Sequence, residues 1–376
     1  MSKDLKRLNV ESSPFRVLHV IDSLKVGGAQ TFLLDLLTSL NKRSANRCHV
    51  APLYGPGPLQ PRFERRGIPV HNLARHRGSP AMVPRLKQLI AEERFDIVHA
   101  HLVPSCLVLE AFRGYLGVEK CVMHVHTVAY NHPTNRYQNV LERFLYRRCD
   151  LLLGCSNAVL KNCPDSTRKE VLYNGVDFEK LCERSTNEDV RTKLGIAANA
   201  FVVGMVGRLI PQKNPRLILK AAAELRQHIP NLRVLFVGDG VERSHLESQA
   251  ATLGLAQTVI FAGTRMNVFD YLKAMDVFVL SSNLEGMPVA LVEAMFAGVC
   301  PVVSSFEAAT EVVTHEKTGR CFERGNEQAL VQSLRQLHDD PEKRQHMAHA
   351  AHEEAVARFS IDITARRLES LYASIG

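Results

Sequence analysis

The chain has 376 residues, 45% of them apolar, with a formal net charge of +8, nine cysteines and no tryptophan. At roughly 100–200 residues per domain this length fits two domains, and near-average Gly and Pro usage excludes collagen-like and disordered chains. No run approaches the roughly 18 consecutive apolar residues of a membrane-spanning helix, and the polar start, Met1 to Pro14, carries no apolar signal core, so a cytoplasmic protein is expected.

The cysteines include no C-x-x-C pair, which speaks against a disulfide framework or a zinc ribbon. The charge is uneven: residues 1–185 hold 27 Lys and Arg against 17 Asp and Glu, whereas residues 186–376 hold 20 against 22. A basic first half suits an anionic partner such as a phosphorylated small molecule or an anionic lipid surface. Nucleic acid is disfavoured, because aromatic residues make up 6% of the chain and no stacking platform accompanies the basic residues.

In chain order, short Val-, Ile- and Phe-rich runs alternate with amphipathic stretches, the pattern of parallel strands joined by helices. In the first half, strands are expected at Phe15 to Ile21, Arg47 to Leu53, Val70 to Leu73, Ile97 to Ala100, Lys120 to His126 and Leu151 to Cys155. Helices are expected at Ala29 to Leu40, Met82 to Glu92, Leu107 to Leu116 and, strongly basic, Arg136 to Cys149. The polar stretch Asp177 to Asn199 reads as a linker.

A second series follows, with strands at Phe201 to Val206, Arg233 to Val237, Val259 to Ala262, Val277 to Ser281 and Pro301 to Ser304. Between them lie helices at Pro215 to His228, Ser244 to Leu253, Asn267 to Ala274 and Val289 to Ala297. The tail from Glu327 is helical and charged. Two such series predict the α/β class, with two Rossmann-like domains, residues 1–180 and 181–357, facing across a cleft.

Ligands of open parallel sheets bind beyond the carboxyl ends of the strands, so the turns there carry the information. In Lys25-Val26-Gly27-Gly28-Ala29-Gln30, paired glycines admit a ligand to a helix N-terminus, although a plain tight turn explains them equally well. In Gly207-Arg208-Leu209-Ile210-Pro211-Gln212-Lys213-Asn214, two cations five residues apart can converge on one diphosphate. After the strand ending near Leu280 comes a turn with Glu285, followed by Gly286, Met287, Pro288 and Val289, and by Glu293 inside the next helix. An ionised Glu there can accept paired hydrogen bonds from vicinal hydroxyls of a sugar or ribose. The plainer reading makes Glu285 a helix cap and Glu293 a paired anion. Histidines 99, 101, 124 and 126 sit in pairs on common strand faces. They read as packed or hydrogen-bonding residues rather than as a metal site, with His126 the best placed to meet a substrate.

Together, Gly27-Gly28-Ala29-Gln30, His126, Asn174-Gly175-Val176-Asp177, Gly207-Arg208 with Lys213, Gly238-Asp239-Gly240, Glu285 to Glu293, Gly298 and Pro301-Val302-Val303 resemble the retaining glycosyltransferases of family four, which have the GT-B fold. The resemblance spans about the whole chain and is more specific in its C-terminal half. It implies that Arg208 and Lys213, with the Gly207 turn, bind the donor diphosphate and stabilise the leaving nucleotide without a metal ion or cofactor. It implies further that Glu285 and the amides of Gly286 to Val289 hold the donor sugar, that Glu293 binds the ribose and that the loop after Gly263 meets the base. Gly28 is then expected to approach the diphosphate as the cleft closes, His126 to contact the sugar, and residues 358–376 to pack back on the first domain. Two departures stand out: Met287 and Pro288-Val289 replace the aromatic or glycine positions often found after Glu-Gly, and Ala308-Ala309-Thr310 replaces glycines ahead of Glu311.

The donor is then a UDP- or GDP-linked sugar, and the acceptor a polysaccharide, lipid-linked or other glycan precursor. A sugar-nucleotide 2-epimerase of similar architecture and a non-catalytic nucleotide- or polyanion-binding protein are the competing readings. Arg136, Arg143, Arg147 and Arg148, and the segment Arg75-His76-Arg77 with Arg85 and Lys87 beside Met82, Val83, Leu86 and Leu89, are expected to favour an anionic membrane surface.

Overall fold

Parallel strands dominate the computed structural model, which describes residues 15–43, 47–74, 76, 79–127, 146–161, 163, 165 and 167–375. The first sheet contains Arg16–Ile21 (β1), Arg47–Pro52 (β2), Ile97–His101 (β3), Lys120–Val125 (β4), Leu151–Gly154 (β5) and Lys169–Val171 (β6), in the order β2-β1-β3-β4-β5-β6. Every pairing in it is parallel. A parallel sheet must be covered on both faces, and β1, β3, β4 and β5 are buried along nearly their whole length. These strands therefore read in the sequence as continuous apolar runs rather than as alternation.

The second sheet contains Phe201–Val206 (β7), Leu232–Val237 (β8), Val259–Gly263 (β9), Val277–Leu280 (β10), Cys300–Ser304 (β11) and Arg320–Phe322 (β12), ordered β12-β11-β10-β7-β8-β9. Its core joins Phe236, Val234, Val279 and Val302 of the strands to Leu217, Ile218 and Leu225 of the helix Pro215–Leu225 and to Leu330 and Leu334 of the helix Glu327–Asp339. Burying one such Leu or Ile side chain contributes about 1.5–3 kcal/mol before conformational entropy is counted. In each sheet the strand order reverses once, between β1 and β3 and between β7 and β10, and such switch points leave a crevice beyond the strand ends.

The chain divides into two compact units. One comprises Met1–Cys155, Leu160–Leu172 and Asp362–Gly376, the other Ser156–Val159 and Tyr173–Ile361. The last helix, Ile361–Ala373, lends the first unit its buried Leu368, Leu371 and Tyr372. Arg367 adds an ion pair to Glu170 at 2.7 Å, and Ser39 donates to Asp362 at 2.6 Å.

Several expectations need correction. Asp177 to Asn199 is no linker but an ordered part of the second unit. Asp177 caps the helix Phe178–Glu183 by accepting from Lys180 N at 3.0 Å, and Asp189 caps Val190–Lys193 by accepting from Thr192 N at 3.2 Å. Asp270 also takes the backbone and hydroxyl of Thr186, both at 2.9 Å. Val70 to Leu73 makes only a bridge from Val70 to Val50, since the next donor along β2 would be Pro52, which offers no N–H to His71 O. The helix expected from Leu107 begins at Leu102, because Pro104 falls in its first turn, where a missing N–H costs nothing. The basic helix Arg136 to Cys149 lies outside the described residues up to position 145, and Tyr146, Arg147 and Arg148 form a turn. Leu86 and Leu89, expected on a membrane-facing stripe, are buried in the first unit's core.

Candidate functional site

The loop after β7 and the turn after β10 meet at the switch point of the second sheet. Gly207 leaves β7 with φ +143°. Gly238 leaves β8 with φ +136°, and a Cβ there would stand 2.0 Å from the Gly207 carbonyl oxygen, so only glycine lets the two turns touch. Gly207 N bonds to Val237 O at 2.9 Å and Leu209 N to Asp239 O at 2.9 Å, which ties the loop down at both ends. Arg208 points into solvent with no protein partner among the described residues.

Lys213 closes a short 3₁₀ turn, Pro211–Lys213, and Asn214 follows at φ +47°, a left-handed conformation that asparagine tolerates. Lys213 Nζ lies 2.8 Å from both carboxylate oxygens of Glu285. The pair is mostly buried, with side-chain exposures of 17% and 11%. The plainer reading of Glu285 as a helix cap fails: the helix Val289–Phe296 starts behind Pro288 and receives no side-chain cap.

The turn carrying Glu285 is held from several directions. Ser282 Oγ donates to Glu285 Oε1 at 2.5 Å. Gln212 Nε2 donates to Leu284 O at 2.7 Å, and Asn283 N returns a bond to Gln212 O at 2.9 Å. Ser304 Oγ reaches Ser282 O at 2.5 Å, and Ser156 Oγ reaches Gly286 O at 2.6 Å. The Met287 thioether is buried and takes the backbone N–H of Asn174 at 2.9 Å, so a methionine in this position anchors the turn. No hydrogen bond among the described residues occupies the backbone N–H of Gly286 or Met287. Fixed donors of this kind, together with an unpaired guanidinium, suit an anion. Sequence reasoning missed Ser156 and Ser304 and gave Asn174 and Ser282 no role of their own, since serine and asparagine carry no periodic signal.

Glu293 is half-buried in the helix Val289–Phe296, one turn past Val289. Gly263 ends β9 at φ +70° and accepts from Gly238 N at 2.9 Å, so its loop adjoins the same strand ends. Glu311, ahead of which stand the three non-glycine residues, accepts from Asn157 N at 2.8 Å and Ala158 N at 2.9 Å.

In the first unit Gly28 opens the helix Gly28–Arg43, and a Cβ there would meet nothing within 4 Å among the described residues. His126 follows β4, is 8% exposed, and has Nε2 3.4 Å from His101 Nδ1. His99, His101 and His124 are wholly buried. Burial first, and the neighbouring imidazoles second, hold all three far below the usual histidine range. His19 on β1 belongs to the same group, and burial brings it down to about 3. It escaped notice because only the register, which sets His19 beside His99, reveals it.

Residues 186–354 match the family model described as glycosyl transferases group 1, and residues 26–180 the one described as glycosyltransferase family 4. The chain is similar to the UDP-Gal:alpha-D-GlcNAc-diphosphoundecaprenol alpha-1,3-galactosyltransferase of Escherichia coli, 31% identical over 269 residues that cover 68% of this chain and 69% of that one. It is also similar to the D-inositol 3-phosphate glycosyltransferase of Corynebacterium urealyticum, 30% identical over 307 residues, 75% of this chain and 72% of the other. Among solved structures, Anabaena Alr3699/HepE in complex with UDP-glucose shares the fold at a TM-score of 0.81 and 24% identity, over 96% of this chain and 100% of that chain. The sequence relatives and the GT-B fold agree: this chain belongs to glycosyltransferase family 4 of the group 1 glycosyl transferases.

Proposed function

We propose that the second unit binds a nucleoside-diphosphate sugar, UDP- or GDP-linked, and that the enzyme transfers the sugar with retention of anomeric configuration and without a metal ion. The observation that carries this reading is the Lys213–Glu285 pair beside an unpaired Arg208 at the β7/β10 switch point. Arg208 and Lys213 engage the diphosphate and offset the charge that grows on it as the bond to the sugar breaks. Glu285 accepts hydrogen bonds from sugar hydroxyls, and the open amides of Gly286 and Met287 stand beside them, with Pro288 and Val289 leading into the helix. Glu293 binds the ribose, and the loop after Gly263 meets the base. Gly28 and His126 lie in the first unit, and the family resemblance assigns them to the diphosphate and the sugar.

In the transfer step the anomeric carbon–phosphate oxygen bond breaks while the acceptor oxygen bonds the same face of that carbon. The acceptor proton passes to the departing phosphate oxygen, so no separate protein base is needed. The acceptor is a glycan or lipid-linked precursor. Support for this comes from the Escherichia coli relative, whose name specifies a diphosphoundecaprenol acceptor. No helix among the described residues is long and apolar enough to cross a membrane. Association with an anionic membrane surface at the cytoplasmic side therefore rests on exposed Phe112 and Tyr115 next to Lys87, whose ammonium lies 4.0 Å from the Tyr115 ring centroid.

The test is donor turnover with UDP-, GDP- and ADP-hexoses, wild type against Glu285→Ala and Lys213→Ala, with the anomeric configuration of the product read by NMR. Turnover of one donor, lost in both variants and giving the donor's own anomer, is expected. Identical turnover in all three proteins, or an inverted product, overturns the reading.

A further inference from the structure

Five imidazoles from three adjacent strands line one side of the first sheet: His19 of β1, His99 and His101 of β3, His124 of β4, and His126 just beyond it. The register sets His19 beside His99 and His101 beside His124. Ring centroids stand 4.2 Å apart for His99 and His101 and 5.1 Å apart for His19 and His99. Packing of neutral rings explains the stacking but leaves the hydrogen bonds unexplained. Buried polar nitrogens are almost always partnered, yet no hydrogen bond reaches Nε2 of His19 or Nε2 of His99.

Where partners do exist, they fit an ion. His99 Nδ1 is 2.6 Å from the Tyr372 hydroxyl, leaving Nε2 free. Metal-bound histidines have that arrangement, one nitrogen oriented by a neighbour and the other on the ion. His19 Nδ1 stands 3.0 Å from His101 Nε2. Two imidazole nitrogens so close share either a proton or an ion, and the edge of a zinc tetrahedron is about 3.3 Å.

We propose that His19, His99 and His101 bind one divalent transition-metal ion of the zinc class. Ligand nitrogens of the three lie within 4.8 Å of one another. An all-imidazole set selects zinc, copper or nickel over magnesium and calcium, which want oxygen ligands. The ion ties β1 to β3 and, through the Tyr372 contact with His99, fastens the C-terminal helix to the sheet. Its role is structural, and the site stands whether or not the donor reading of the second unit does.

The test uses the full chain, stripped with a chelator and shown folded by near-UV circular dichroism, then loaded with Zn²⁺ or Co²⁺ and dialysed. One equivalent of zinc per chain, a raised thermal midpoint and the visible bands of nitrogen-ligated cobalt are expected. His19→Ala and His99→Ala should weaken zinc at least tenfold, whereas His71→Ala, which breaks the separate His49–His71 pair 2.9 Å apart, should leave it unchanged. Tyr372→Phe keeps all three ligands in a folded chain and should weaken zinc about tenfold by releasing His99. A folded wild type that retains no ion overturns the proposal. So does an ion that survives both His19→Ala and Tyr372→Phe, or one that His71→Ala removes.

Discussion

The two parallel sheets each have one switch point, between β1 and β3 and between β7 and β10, and treat it in opposite ways. Between β1 and β3 the first unit gathers neutral, fully buried imidazoles. Between β7 and β10 the second unit sets full charges at the mouth of the strands, one carboxylate matched to one ammonium and a guanidinium left to solvent. The difference follows from what each location can tolerate. Inside the sheet a protonated ring without an anion beside it is costly, so in the metal-free chain the histidines titrate far below their usual range. At the strand ends water and a ligand can share the field, so charge is kept for a substrate.

Acidification should break this contrast most forcefully. In the metal-free chain the buried imidazoles are neutral in both folded and unfolded protein above about pH 6.5 and add nothing there. Below it the unfolded chain takes up protons that folded His19, His99, His101 and His124 refuse, so stability falls by roughly 1.4 kcal/mol per pH unit for each. For His19 the loss continues down to about pH 3. Carboxylates dominate the second unit's titration. Asp270 lies below its ordinary range although burial opposes it, because Ser185, Thr186 and Asn267 bond to it. Glu316 is lowered chiefly by the Lys343 bond and then, against burial, by Arg320. Both contribute stability above the ordinary carboxylate range and lose it only as pH falls through about 4. Hydrogen exchange at pH 7.5, 6.0 and 5.0 should show the first unit opening while the second stays protected.

Lys213→Ala and Glu285→Ala come next, each expected to lower transfer at least 100-fold, a loss of about 2.7 kcal/mol or more in transition-state stabilisation. Steady-state rates at saturating donor check this. Gly238→Ala should cost the second unit about 3 kcal/mol, from strained φ and the contact with Gly207 O, read as a lowered urea midpoint. Glu311→Ala removes the acceptor of two amide bonds at the start of the short helix Asn157–Leu160 and should cost about 1–2 kcal/mol by the same measure. Smallest is Arg243→Ala, whose exposed ladder to Asp239 and Glu247 should be worth under about 0.5 kcal/mol.

Much of this was legible because strands buried on both faces write themselves as apolar runs, and because Gly207 to Lys213 and Glu285 to Glu293 each sit in one short stretch. Contacts between distant positions were not legible. His19 joins His99 only through strand register, and Ser156 reaches the Glu285 turn from 130 positions away. The polar stretch after Asp177 looked like a linker because its order comes from side-chain caps and from Asp270, which apolar periodicity does not report.

The most direct test is calorimetric titration of UDP into wild type, Arg208→Ala, Lys213→Ala and, as a control, Arg243→Ala. Binding weakened at least tenfold in the first two variants and unchanged in the control is the expected result. UDP affinity equal in all four proteins would contradict a donor site at the β7/β10 switch point.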